Sequence, residues 1–369
     1  MSPHEPVRDA RHPPRGLFPL VVLLLLIPAR SAALDLPHAP HPKGYVCPFA
    51  SGPITIDGVM NERAWRDAAW TSPFVDIEGE GRPAPRFRTR AKMLWDAGSL
   101  YIGAELEEPQ VWGTLTKRDT VIFHDNDFEV FMDPDGDNHE YYEMEMNALN
   151  TVWDLFLERP YRDGGTARDG WNIEGLRTAV HVRGTLNNPA DTDTGWTVEI
   201  AMPWKALGEF AHRPAPPKKG DQWRINFSRV EWRVEVAGTL VRKVPGTRED
   251  NWVWSPQGVV DMHQPEMWGY VQFEGPGARP QAFRPDPSMP ARELLMSVYH
   301  AQVAFRKEHG RWAASIGELS HAVTDAAAFH TPPAVSLTGA GFIATVTIRL
   351  PGGKTQTWFV TEDSRLWHN

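Results

Sequence analysis

One cysteine, Cys47, occurs in 369 residues, so the chain closes no disulfide within itself and offers no cysteine-based zinc site. An excess of basic charge is lacking too: 38 Lys and Arg stand against 47 Asp and Glu, a formal net charge of −9. That balance argues against nucleic acid or anionic lipid as partner. Long apolar runs are also missing. The longest, Leu17 to Ile27, has about eleven residues, short of the roughly 20 that span a bilayer. It fits a secretory signal instead, with Arg8, Arg11 and Arg15 before it and Ser31-Ala32-Ala33 as a small-residue cleavage site. Residues 1–33 are therefore expected to be a signal peptide, and the mature chain to begin near Leu34. Its loss removes four Arg and two acidic residues, leaving 34 basic against 45 acidic side chains. No cysteine near the cut accepts a lipid. The expectation is an exported protein, periplasmic or extracellular, without stable membrane insertion; an uncleaved N-terminal anchor is the rival.

Tryptophan, proline and glycine are plentiful. Of sixteen tryptophans, thirteen precede Gly269. Indole rings bury large areas in a β-sandwich core, and they also give flat platforms for sugar rings. The 33 Pro and 30 Gly punctuate the chain at short intervals. Between them apolar residues alternate with period 2, the pattern of half-buried antiparallel strands. An all-β antiparallel sandwich is the expected fold. Thr89 to Leu94 and Leu100 to Leu106 should pair as a hairpin around Asp96-Ala97-Gly98-Ser99. Further strands are expected at Val152–Glu158, Leu176–Arg183, Gly195–Met202, Gln222–Trp232, Trp252–Ser255 and Gly269–Glu274. Helix is confined here to Asn61–Ala68 and a turn after Pro203.

Residues 275–290, GPGARPQAFRPDPSMP, contain five prolines and two glycines, a composition that disfavours regular structure and marks a linker. It separates a sandwich over residues 34–274 from a small α+β unit over 291–369. In that unit Leu294, Val298, Ala301 and Phe305 give one helical stripe, and Gly310 is placed to end the helix. Ser315 with Glu318 resembles a capping box. Phe342 to Leu350 alternates as a strand, Pro351-Gly352-Gly353-Lys354 turns, and Thr357 to Val360 returns as the second arm of a hairpin.

The densest chemistry lies in Asp125 to Leu157, DNDFEVFMDPDGDNHEYYEMEMNALNTVWDLFL. Phe128, Val130 and Met132 should point one way, and Asp127, Glu129, Phe131 and Asp133 the other. Tyr142, Met144 and Met146 similarly oppose Tyr141, Glu143, Glu145 and Asn147. Two adjacent strands thus present acidic and amide groups on one face. Between them, Asp133-Pro134-Asp135-Gly136-Asp137 offers closely spaced oxygens of the kind a hard cation requires. Calcium held by Asp133, Asp135 and Asp137 is one reading; a polar turn is the other.

Five blocks carry a resemblance: ITIDGVMNERAW from Ile54, AKMLWDAGSLYIGAEL from Ala91, NDFEVFMDPDGDNHEYYEMEMN from Asn126, DTGWTVEIAMPWKAL from Asp193, and WGYVQF from Trp268. In that order, from Ile54 to Phe273, the chain resembles the family 9 carbohydrate-binding modules, within the wider DOMON-like group of jelly-roll β-sandwiches. The resemblance implies non-covalent binding of a saccharide or polysaccharide, and structural calcium occurs in the family. It implies two aromatic rings that clamp a terminal sugar while charged and amide groups bond its hydroxyls. The first ring falls on Phe123 and the strand glutamate on Glu129. The second ring would fall near Val259 to His263, where no aromatic stands, and Glu145 occupies the family's arginine position. Trp112, Asn147, Arg229, Trp232 and Trp254 are the residues that could rebuild such a site.

Two other classes remain open. Glu129, Glu143 and Glu145 could serve as the paired acids of a glycoside hydrolase, which stand roughly 5 to 9 Å apart. Met144 and Met146 with His124, His139 or His181 could hold haem, as some DOMON relatives do.

Overall fold

The computed structural model describes residues 42–277, 281–319 and 329–369. The expected signal segment lies outside them. Two sheets face each other. The larger runs in the order Gly44–Cys47, Gly269–Phe273, Gln222–Glu231, Asp127–Asp133, Tyr141–Asn147, Val152–Leu157 and Ala167–Arg168, with Asp250–Val253 and Val75–Asp76 branching from Gln222–Glu231. The smaller is Thr89–Trp95, Ser99–Leu106, Gly195–Pro203 and Arg177–Arg183. Pairing is antiparallel except where Gly44–Cys47 lies parallel to Gly269–Phe273. The strands expected from alternation are present, their ends shifted by a residue or two, as fraying ends do.

Alternation explains the core. Phe128, Val130, Met132, Tyr142, Met144 and Met146 from the large sheet meet Met93, Ile102, Trp196, Val198 and Ile200 from the small one in one buried cluster. Tryptophan fills much of it: Trp95, Trp204 and Trp223 pack edge to face around Phe273. Across the small sheet's other side lies the Arg63–Asp67 helix, whose Trp65 is fully buried against Leu94, Tyr101 and Ala201. The Trp65 indole donates to Glu199 Oε1 at 2.7 Å, and Glu199 Oε2 accepts the Asp57 and Gly58 amides. The Asp57-Gly58 turn is thus anchored to the sheet it precedes.

The C-terminal region is a 21-residue helix, Met289–His309, ended by Gly310 at φ 69°, and a sheet of four strands, Thr331–Leu337, Phe342–Arg349, Thr355–Thr361 and Leu366–His368. The middle two are the expected hairpin; the outer two add to it. Ser315 begins a short 3-10 turn, but its side chain makes no cap bond. The helix buries Ala291, Arg292, Leu295, Val298, Tyr299 and Gln302, while Leu294, Ala301 and Phe305 flank that face. The stripe is rotated from the apolar count because Arg292 and Gln302 are buried with hydrogen-bond partners, Gly136 and Ala313, which hydrophobic periodicity does not register. Among the described residues no helix is long and apolar enough to cross a membrane.

Candidate functional site

On the outer face of the large sheet, Glu129 stands opposite Glu145, Phe131 opposite Glu143, and Asp127 opposite Asn147. Like charges directly opposite destabilise a ladder, so these carboxyls need partners. They are deeply set: Asp127 is 0%, Glu129 5%, Glu143 5% and Glu145 2% exposed. The protein gives them few donors. Asp127 Oδ1 accepts the Val230 amide at 2.9 Å, and Glu145 Oε2 accepts the Phe123 amide at 3.0 Å. Glu143 lies 3.8 Å from His263 Nε2. Among the described residues no Lys or Arg forms an ion pair with any of the four.

Burial without counter-charge favours the protonated acid. Burial, then neighbouring carboxylates, drives Asp127, Glu143 and Glu145 above the usual range, and burial lifts Glu129 to about 7. Burial also lowers His263 to about 4, so its imidazole is neutral at pH 7. The Tyr141 hydroxyl lies 2.9 Å from His263 Nδ1. A neutral ring accepting there carries its proton on Nε2, toward Glu143.

Aromatic rings border this acidic floor. Phe123 and Trp232 are half-buried beside Glu145; the Trp232 indole donates to the Phe123 carbonyl at 2.9 Å. The Lys243 ammonium, from the Val234–Ala237 and Leu240–Lys243 hairpin, lies 3.5 Å from the centre of the Trp232 ring. Near Glu143, Tyr161 is 45% exposed with its ring 4.4 Å from that of His263. Half-buried Trp153 pairs across the ladder with Glu145. Tyr161, Trp153, His263 and Asp127 were not among the expected ligands. Tyr161 opens the short 3-10 turn Tyr161–Asp163 after the Val152–Leu157 strand, and only the fold brings it to the floor.

Other expected ligands lie elsewhere. Arg229 is fully buried between the sheets, bonded to Glu108 and Glu231; it shares the parity of Ile225 and Phe227, so it points into the core and away from the carboxylate face. Trp254 is 1% exposed within the same core. Trp112 is 3% exposed and presents no free ring face. Asn147 is spent on its own turn: Nδ2 donates to Leu115 O and Asp125 Oδ2, and Oδ1 accepts the Leu149 and Thr151 amides. Met144 and Met146 are wholly enclosed in the core, while His124 and His181 are exposed and His139 meets the Asp363 carbonyl, an arrangement that brings no Met and His together around haem.

Two carboxylate trios have oxygens within 4.8 Å of one another, Asp127 with Glu129 and Glu145, and Asp133 with Asp135 and Asp137. In the second, Asp133 accepts the Gly136 amide at 2.7 Å and the Asn138 amide at 2.9 Å. Asp137 accepts the His139 amide at 2.8 Å and pairs with Arg365 at 3.0 Å. Asn138 and the Asp137 carbonyl further bond Ser364 and Leu366. A divalent ion there would compete with the Arg365 guanidinium for Asp137.

Residues 56–275 match the carbohydrate family 9 binding domain-like family. The chain belongs to that family, a class of β-sandwich carbohydrate-binding modules. It is also 27% identical over 158 residues to "Exoglucanase XynX" of Acetivibrio thermocellus, a match covering 42% of this chain and 12% of that protein's length. Among solved structures, it is similar to a family 9 carbohydrate-binding module from Caldicellulosiruptor kristjanssonii in complex with cellotriose, at 15% identity and TM-score 0.42. The same module in complex with glucose gives 16% identity and TM-score 0.42. Each covers 65% of this chain and all of that one.

Proposed function

We propose that the protein binds a saccharide, without transforming it, on the face floored by Asp127, Glu129, Glu143 and Glu145 and bordered by Phe123, Trp232 and Tyr161. The observation that carries this reading is accessible aromatic rings beside buried carboxyls on a sandwich of carbohydrate-binding family. Axial C–H groups of a pyranose stack on a ring face, and carboxyls supply acceptors for paired hydroxyls. Raised acids also supply donors, which suits hydroxyl oxygens. Among the described residues no Lys or Arg pairs with the floor, so it would meet hydroxyls through its acids. Isothermal titration with glucose, cellotriose and other glycans tests the reading. Trp232→Ala and Tyr161→Ala should each weaken binding about ten-fold, near 1.4 kcal/mol, with the melting temperature little changed. No heat with any glycan, or wild-type affinity in both variants, would refute it.

For the Asp133 to Asp137 turn we propose a docking role toward Arg365 in place of calcium binding. EDTA followed by excess calcium should leave the melting temperature unchanged, whereas Arg365→Ala should lower it. A calcium-dependent rise abolished by Asp135→Asn would restore the metal reading.

A further inference from the structure

A cleft of about 1020 Å³ lies between the sandwich and the C-terminal unit, larger than most ligand pockets. Its wall holds two buried guanidiniums, Arg224 at 3% and Arg292 at 8% exposure. Arg224 lies 4.0 Å from the centre of the Tyr270 ring and donates to the Glu266 carbonyl. Arg292, in the first turn of the Met289–His309 helix, donates to the Gly136 carbonyl and stands 5.1 Å from the Trp358 ring centre. A third, Arg213, donates from Nη1 to the Pro134 and Gln222 carbonyls. In all three the Nε–H is buried and unpaired. Among the described residues no carboxylate comes within ion-pair distance of any of them.

Uncompensated buried charges of one sign are costly. Burial and the proximity of Arg292 work against the charge on Arg224, and Tyr270, Asp133 and Glu266 offset only part of this. Most carboxylates lining the cleft are already engaged. Asp137 pairs with Arg365, Asp286 accepts the Ser288 amide and hydroxyl, Asp221 the Lys218 amide, and Glu274 the Gln272 amide. Burial, then Asp137, lifts Asp135 to about 6, so it is close to half neutral at mildly acidic pH. Three guanidiniums lining one cleft suit the two oxygens of a carboxylate. The side-chain amides of Gln222 and Gln356 line the remaining wall, groups suited to hydroxyls.

We propose that this cleft is a second binding site, for an acidic saccharide whose uronate carboxylate is held by Arg213, Arg224 and Arg292. The saccharide class rests on the function proposed above; the demand for an anion rests on the cleft alone. The test titrates the full chain with trigalacturonate, its methyl ester, cellotriose and sodium sulfate. Trigalacturonate should bind with an affinity that falls as NaCl rises, and the methyl ester at least ten-fold more weakly. Binding should persist in Trp232→Ala and drop at least ten-fold in Arg292→Gln and Arg213→Gln. Arg213 is only half-buried, so its variant keeps the test valid if Arg292→Gln does not fold. Failure of cellotriose alone would count against the sandwich face and leave this site standing. Absence of trigalacturonate binding, equal affinity for the ester, retention in both arginine variants, or loss in Trp232→Ala would each overturn the cleft site. Sulfate binding without trigalacturonate binding would overturn it as a saccharide site.

Discussion

Arg229→Met should destabilise the protein by about 3–5 kcal/mol, the usual result of removing one partner from a buried ion pair. Arg229 is wholly enclosed and bonds Glu108 at 2.8 Å and Glu231 at 2.7 Å, whose side chains are 2% and 1% exposed. Its other terminal nitrogen donates to Thr89 Oγ1 at 3.0 Å and to the Glu107 carbonyl at 2.9 Å. The guanidinium also lies 5.3 Å from the centre of the Trp252 ring. One side chain therefore ties the Gln222–Glu231 strand of one sheet to the Thr89–Trp95 strand of the other. Without it two carboxylates face each other in the core, and burial has already raised Glu231 well above its ordinary range. Urea unfolding at pH 7 measures the loss. Adding Glu108→Gln and Glu231→Gln to Arg229→Met should recover much of it, because the orphaned charges disappear. Glycan affinity of the folded fraction should be unaltered. A loss below 1 kcal/mol, or a selective loss of glycan binding, would return Arg229 to the binding face.

The same residue shows what the sequence makes legible and where it stops. Period-2 alternation separates Phe128, Val130 and Met132 from Asp127, Glu129 and Phe131 correctly, since one face must be apolar and register is set by that demand. Read along Gln222–Glu231, alternation also puts Arg229 with Ile225 and Phe227. An arginine there makes sense only once Glu108, 121 positions away, is known to meet it. The acidic turn behaves alike: Asp and Gly announce a turn, but Arg365 and Ser364 come from more than 220 residues along the chain. Tyr161 carries no local signal at all. Local pattern specifies elements and faces; pairing of buried polar groups is a long-range property, and it decides which polar residues bind and which brace.

The acidic floor sets the second large effect. Between pH 5 and 8 the protein should lose stability, and Glu129→Gln should restore about 3 kcal/mol at pH 8. Glu129 rises from 4.5 to about 7 in the folded chain, so within that window the folded state holds a proton that the unfolded state has released. Unfolding then gains with rising pH, by about 1.4 kcal/mol for each pH unit between the two values. The contribution is neutral below about 4.5 and fully adverse above about 7. Asp127, Glu143 and Glu145 are shifted the same way, and such close acids titrate as a set. Glu266 opposes them at the acidic end. Arg162, 2.9 Å away, and then His300 hold it down to about 2 despite burial, so its contribution is present above about 4.5 and fades as pH falls. His263, held down at about 4, adds stability as pH rises to about 6.5 and offsets one of the four acids there. With the remaining acids the balance still falls with pH, which places maximal stability in mildly acidic solution, below the usual neutral optimum. Denaturant midpoints measured across pH 4 to 9 check this, and a wild-type curve still rising at pH 8 would refute it. Removing one acid from the floor should flatten the alkaline limb, whereas Glu266→Gln should depress the whole curve above pH 4, because it leaves Arg162 with only the more distant Asp163 at 3.6 Å. The floor therefore costs stability at neutral pH, and the saccharide binding proposed for it is the use those carboxyls would have, a protonated one donating to a hydroxyl while an ionised neighbour accepts.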